Sequence, residues 1–126
     1  MAIYLDTHAA CWLYMGALEK FSPRALDEIE QNSVLISPMV GIELQFLFEI
    51  KRLKVQANEI LNVLRRDFHV QECTAEFALV SRLAHALQWT RDPFDRIITA
   101  QAALFDAPLL TKDRNIRSNY PHALWT

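Results

Sequence analysis

Short apolar runs that alternate with helix-starting dipeptides constrain this chain more than any other feature. Ala2 to Leu5 is apolar and stops at Asp6; Val34 to Ile36, Phe68 to Gln71 and Leu109 to Thr111 repeat the pattern, and Leu124 to Thr126 repeats it weakly. Between them lie Ser22-Pro23, Ser37-Pro38 and Asp92-Pro93. In each pair a short polar side chain can cap a helix whose first residue is a proline with its φ already set. Strands of three to five residues separated by helices are the mark of a parallel sheet covered on both faces.

The helices follow from the same signals. Thr7 is placed to cap a helix to about Met15, with Gly16 as its stop. Phe21 and Leu26 stand at N′ and N4 of the helix opened by Ser22, which runs to about Gln31 and ends at Asn32. A strongly apolar helix is expected from Pro38 to about Lys51. Another fits Gln56 to Arg66, where Ala57, Ile60, Leu61 and Leu64 recur at helical spacing. Thr74 then caps a helix whose stripe is Phe77, Val80, Leu83, Ala84 and Leu87. Pro93 to Asp106 forms the next, closed by Ala107-Pro108. The expectation is a three-layer α/β/α sandwich with a central, mainly parallel sheet of four to five short strands, built as one domain over residues 1–126.

Composition narrows the class further. Hydrophobic residues make up 52% of the chain, which excludes intrinsic disorder, and two glycines exclude collagenous or glycine-rich repeats. Cys11 and Cys73 form neither a disulfide framework nor a zinc spacing and suit a reducing cytosol, so a cytoplasmic location is expected. No basic flank precedes the first apolar run, and no stretch of about 18 apolar residues exists to span a membrane. The formal net charge of −2 offers no bulk attraction to nucleic acid.

In such a sheet, chemistry is expected beyond the carboxyl ends of the strands. Asp6 and Asp113 follow the first and fourth runs there, Asp92 and Asp95 open a helix, and Glu43 lies one turn inside another. Several have ordinary explanations. Asp92 is a good helix cap, Asp95 at N3 complements a helix dipole, and Asp113 can close a turn with Asn115. Glu43 is harder to explain, because Val40, Ile42, Leu44, Phe46, Leu47 and Phe48 surround it and no base lies between Pro38 and Ile50. An ionised carboxylate in apolar surroundings is costly without a partner, and Asp6 poses the same problem. A divalent cation answers both, and all-oxygen donors favour Mg²⁺ or Mn²⁺. Four or five carboxylates of this kind suggest two-metal phosphodiester hydrolysis, the ions about 3.5–4 Å apart. Arg91, Arg96, Lys112, Arg114 and Arg117 flank these acids and either hold a phosphate backbone or form an ordinary solvated face.

Leu5-Asp6-Thr7-His8, Glu43 within Ser37-Pro38…Gly41-Ile42-Glu43-Leu44, Asp92-Pro93-Phe94-Asp95-Arg96…Ala100-Gln101-Ala102, and Leu110-Thr111-Lys112-Asp113 together resemble the PIN-domain ribonucleases, most closely the VapC-type toxins of toxin–antitoxin pairs. The resemblance runs from Ile3 to about Ile116, and its most specific piece is Asp-Pro-Phe-Asp-Arg followed by Ala-Gln-Ala. It implies that Asp6, Glu43, Asp95 and Asp113 form the catalytic acidic metal site, with Asp92 as a fifth member or only a cap. Asp6, Glu43 and Asp95 would hold the catalytic ion, and Asp113 a second ion or the attacking water. Thr111 matches a small hydroxyl residue before the last acid, and Lys112 stands where the family more often has Arg. The implied activity is Mg²⁺- or Mn²⁺-dependent cleavage of RNA, of the tRNA or ribosomal RNA class. The implied partners are a cognate antitoxin and a second copy of the chain.

Other features carry less. The helices from Pro38 and Gln56 bear apolar residues beyond one core-facing stripe, including Phe46, Phe48 and Ile50. That excess suits an interaction surface or a centrally buried helix, and the core is the preferred reading. His8, His69, His85 and His122 show no metal-ligand spacing, and Trp12, Trp89 and Trp125 read as packing residues. A non-catalytic α/β interaction module is the alternative function; the carboxylate set argues against it. A phosphoacceptor domain would want adjacent acids after the first strand, where only Asp6 stands. Without Asp6, Glu43, Asp95 and Asp113, the thirteen bases outnumber the remaining acids, so the net acidity belongs largely to the site itself.

Overall fold

A computed structural model describes all 126 residues, Met1–Thr126. Strand β1 (Ala2–Leu5) leads into helix α1 (Thr7–Met15), a 3-10 turn at Leu18–Lys20 and α2 (Pro23–Gln31). β2 (Ser33–Ile36), α3 (Pro38–Glu49), α4 (Ala57–Phe68) and β3 (Gln71–Glu72) follow. The chain continues through α5 (Phe77–His85), α6 (Pro93–Ala103), β4 (Leu109–Leu110), α7 (Arg114–Asn119) and β5 (Ala123–Leu124). The five strands form one sheet in the order β3-β2-β1-β4-β5, parallel at every pairing. The expected α/β sandwich is therefore the observed one.

β1 is central, and Ile3, Tyr4 and Leu5 in it are all buried. Successive strand residues point to opposite faces, so both faces of the sheet are covered. The main core joins strand residues such as Leu5, Ile36 and Leu110 to Ala9, Leu13, Leu44, Ile60, Leu64 and Ile98 from the helices. A smaller cluster, Val80, Ala84 and Ala100, fixes α5 on α6. Gly41 lets α4 approach α3, since a Cβ there would meet Leu61 Cδ1 at 3.2 Å. No helix is long and apolar enough to cross a membrane.

The structure corrects several boundaries. Asp6, not Thr7, caps α1, its side chain accepting from the Ala9 amide. Phe68 to Gln71 is not a strand: Phe68 ends α4, His69 takes the left-handed cap conformation at φ 58°, and β3 begins only at Gln71. The helical stripe simply extends one turn past Leu64 to a residue that packs on the core. Thr74 caps nothing; α5 starts at Phe77 after Glu76, without a side-chain cap. Phe77 itself is 63% exposed, outside the stripe assigned to it. α6 ends at Ala103, before Asp106, whose φ of 50° no helix accommodates. Of the surplus apolar residues, Phe46 and Ile50 are exposed rather than core, Phe48 is half-buried, and Ile42 on α3 is 60% exposed as well.

Candidate active site

β1 and β4 are neighbours in the sheet although most of the chain separates them, so the strand order reverses between them. A crevice at such a switch point, beyond the carboxyl ends of the strands, is where open α/β sheets bind ligands. Asp6 stands there, the residue after β1, and its amide donates to the Leu110 carbonyl at 3.2 Å. Its carboxylate is 6% exposed and fully engaged. Oδ1 accepts from the Ala9 amide at 2.8 Å, and Oδ2 accepts from the buried Thr111 hydroxyl. Burial pushes the Asp6 carboxyl above the usual carboxylate range, and the charge of Asp113 adds to that. The Thr111 hydroxyl, the Ala9 amide and His8 oppose the shift.

Glu43 reaches the same place from the second turn of α3. Thr7 Oγ1 donates to its Oε1 at 2.5 Å, which explains why Thr7 leaves the capping of α1 to Asp6. Burial raises the Glu43 carboxyl; the Thr7 hydroxyl opposes this, while Asp92 and Asp6 reinforce it. Asp95 sits at N3 of α6 and is pushed up to about 7, first by burial and then by Asp92, Asp113, Glu43 and Asp6. That all four other acids act on Asp95 locates the five carboxylates in one electrostatic neighbourhood.

Two of the five also serve as caps. Asp92 Oδ1 accepts from the Phe94 amide at 2.8 Å and the Asp95 amide at 3.3 Å, opening α6. Asp113 Oδ1 accepts from the Ile116 amide at 2.9 Å and opens α7, a helix rather than the expected turn with Asn115. With Asp6 on α1, three helix N-termini aim their positive ends at this corner, which favours negative charge there. α3 and α6 are tied below the site by a buried hydrogen bond at 2.9 Å from Ser37 Oγ to Gln101 Oε1.

The chain's single ion pair joins Arg66 to Asp67 on the surface. None of the five acids therefore has a basic partner, although Asp6 is buried and Glu43 and Asp95 are half-buried. Their oxygens form a hard donor set suited to Mg²⁺ or Mn²⁺. No three of them close into a ready-made ligand shell, and Asp6, Glu43, Asp92 and Asp113 each accept from a hydroxyl or a helix amide.

The flanking bases divide. Lys112 lines a recess beside Asp6 and Asp113. Arg96 Nε is committed to the Thr90 carbonyl at 2.7 Å, bracing the loop before α6. Arg117 turns towards Thr126 Oγ1 at 3.4 Å. Arg91 and Arg114 are exposed on either side. Two residues that the sequence reading left among packing and surface roles, His8 and Trp12, line the same recess as Lys112. Their signal was present: four apart on α1, directly after Asp6, they share one helical face. Trp125 is buried and Trp89 partly buried against the core, as expected of packing residues.

The family model of the PIN domain matches residues 3–120. No curated protein matches the chain. Among solved structures, VapBC2 from Rickettsia felis, crystallised with a DNA fragment from their promoter, is similar with a TM-score of 0.63 and 18% identity, covering 100% of both chains. A toxin–antitoxin complex from Klebsiella pneumoniae gives a TM-score of 0.60 and 19% identity over 97% of this chain and 95% of its own.

Proposed function

The chain belongs to the PIN-domain family, and from that premise we propose that it is a Mg²⁺- or Mn²⁺-dependent endoribonuclease, the toxin of a toxin–antitoxin pair. One observation carries the reading: five carboxylates from four segments lie in one electrostatic neighbourhood at the sheet's switch point, and none of them is in an ion pair. Such a cluster is costly unless something positive compensates it. Asp6, Glu43 and Asp95 would hold one divalent ion, and Asp113 would place a second ion or the attacking water, with Asp92 at the rim. A cation bound there supplies water activation and neutralises charge on the scissile phosphate.

The chain's own residues do the positioning. Thr111 and the Ala9 amide aim Asp6, Thr7 aims Glu43, and the Ser37–Gln101 bond fixes α3 against α6. Such outer hydrogen bonds commonly set ligand orientation and metal affinity. No side chain is needed as a covalent nucleophile. Lys112, Arg91 and Arg114 are available to the RNA backbone, while Arg96 acts structurally.

An antitoxin partner is supported by the surface beside the site. Ile42 and Phe46 on α3 and Ile50 just after it are exposed, and Phe46 packs on Phe94 with ring centroids 5.7 Å apart. Ile42, Phe46 and Phe94 line a groove of about 740 Å³ between α3 and α4, and Ile42 and Phe94 immediately precede Glu43 and Asp95 in the chain. Exposed apolar surface rimmed by polar residues suits a protein ligand. Both similar structures are of toxin–antitoxin assemblies.

The test is cleavage of tRNA and ribosomal RNA by the purified protein with Mg²⁺, Mn²⁺ or EDTA, beside Asp6→Asn. Activity is expected only with metal and to fall at least about 100-fold in the variant. Cleavage in EDTA, or a variant as active as the parent, would overturn the mechanism.

A further inference from the structure

Beside the acids lies a recess of about 300 Å³ lined by Asp6, His8, Trp12, Lys112 and Asp113. Two of its walls are the acids already described; the other three residues have no part in that reading. His8 and Trp12 stand one turn apart on α1, their ring centroids 6.0 Å apart and inclined at 43°. Trp12 is held rigidly, edge-on to Phe21 at 6.3 Å and to Trp125 at 5.8 Å, with Lys20 Nζ 5.7 Å from its ring centre. His8 and Lys112 are both exposed. An aromatic wall, an ammonium group and two carboxylates thus meet in a space sized for one nucleotide.

We propose that this recess is the base subsite for a single unpaired nucleotide adjoining the scissile phosphate. The base packs on the His8–Trp12 wall, and Lys112 sits against its phosphate. The proposal rests on the ribonuclease reading and gives His8, Trp12 and Lys112 a place in holding the substrate. A base inside a duplex has both faces covered by its neighbours, so only a splayed-out base can use a side-chain wall. Three of the five lining residues, Asp6, Lys112 and Asp113, are ionisable, which disfavours an apolar peptide.

Steady-state kinetics on a single-stranded RNA and on the same sequence within a duplex, with Mn²⁺, test the subsite. His8→Ala, at an exposed position that leaves the fold intact, is expected to raise KM for the single strand about 5- to 100-fold with kcat nearly unchanged. His8→Phe, which keeps a ring, is expected to restore it. The duplex should be cut poorly by all three proteins. As a readout independent of turnover, adenosine monophosphate titrated into the protein should shift the His8 imidazole and Trp12 indole resonances, leaving those of His69 and Trp89 in place. Wild-type cleavage with an unaltered KM in His8→Ala overturns the subsite and spares the ribonuclease. Loss of antitoxin binding in that variant without a change in KM reassigns the recess to the protein partner. If the wild type cuts no RNA, both readings fall.

Discussion

Three buried threonines near the site show how one residue type takes opposite energetic roles. The Thr7 and Thr111 hydroxyls donate to Glu43 and Asp6. Thr99, one turn beyond Asp95 on α6, is 1% exposed, and its hydroxyl is the only buried side-chain polar atom with no partner. An unsatisfied buried hydroxyl costs about 1–3 kcal/mol, and valine fills the same volume without it. Thr99→Val is therefore expected to raise stability by about 1 kcal/mol, seen as a higher urea midpoint at constant slope. Thr111→Val should do the reverse for function. It removes a donor to the Asp6 carboxylate, lifts that carboxyl further, and weakens Mn²⁺ binding by about 10-fold on calorimetric titration. A loss of stability in Thr99→Val would show that its hydroxyl has a partner, and unaltered Mn²⁺ affinity in Thr111→Val would show that Asp6 needs no aiming.

At the scale of elements, what was legible in the sequence is what local chemistry decides. Ser22, Ser37 and Asp92 do cap the helices that begin at the following prolines. β3 was displaced because a two-residue strand has no periodicity to read; its place is set by pairing Gln71 and Glu72 with Leu35 and Ile36. α7 was missed because, of its six residues, only Ile116 is buried. Asp6 and Thr7 are equally good caps on paper, and the choice depends on Glu43 arriving from 36 residues away. The bond between α3 and α6 likewise has no local signature. Ser37 Oγ accepts from the Met39 amide and donates to Gln101, so Gln101→Leu leaves a buried hydroxyl without its acceptor. The expected cost is about 1–3 kcal/mol in urea unfolding, together with weaker Mn²⁺ binding as Glu43 and Asp95 lose their common anchor. Gln31→Leu, on an exposed helix end, should change neither. A stability loss with full Mn²⁺ affinity would confine the bond to the fold.

For the whole molecule, the sequence could show that acids outnumber bases, but only the topology shows where the excess is concentrated. The site residues were legible as types, through their improbable surroundings. Their convergence follows from the parallel order β3-β2-β1-β4-β5, which brings the ends of β1 and β4 and the start of α6 to one corner. That concentration makes stability depend on pH in a direction opposite to the usual salt-bridged carboxylate. Asp95 titrates at about 7 in the folded protein against 3.8 in the unfolded chain, and Asp6 and Glu43 are raised as well. Between these values the folded state holds protons that the unfolded state has released, so metal-free stability falls as pH rises from about 4 to 7 and levels off above. A divalent ion replaces those protons, so its stabilising effect should grow over the same window. At 100 times its dissociation constant it contributes about 2.7 kcal/mol, or about 10 °C in Tm for a chain of this size. Thermal unfolding from pH 5 to 8, in EDTA and in Mn²⁺, reads both curves. The EDTA curve should fall with pH and the Mn²⁺ curve should separate above it. Asp95→Asn should flatten the EDTA curve, raise its value at pH 8 and shrink the separation. Parallel curves for wild type and variant would mean that the acids of this corner do not share one site.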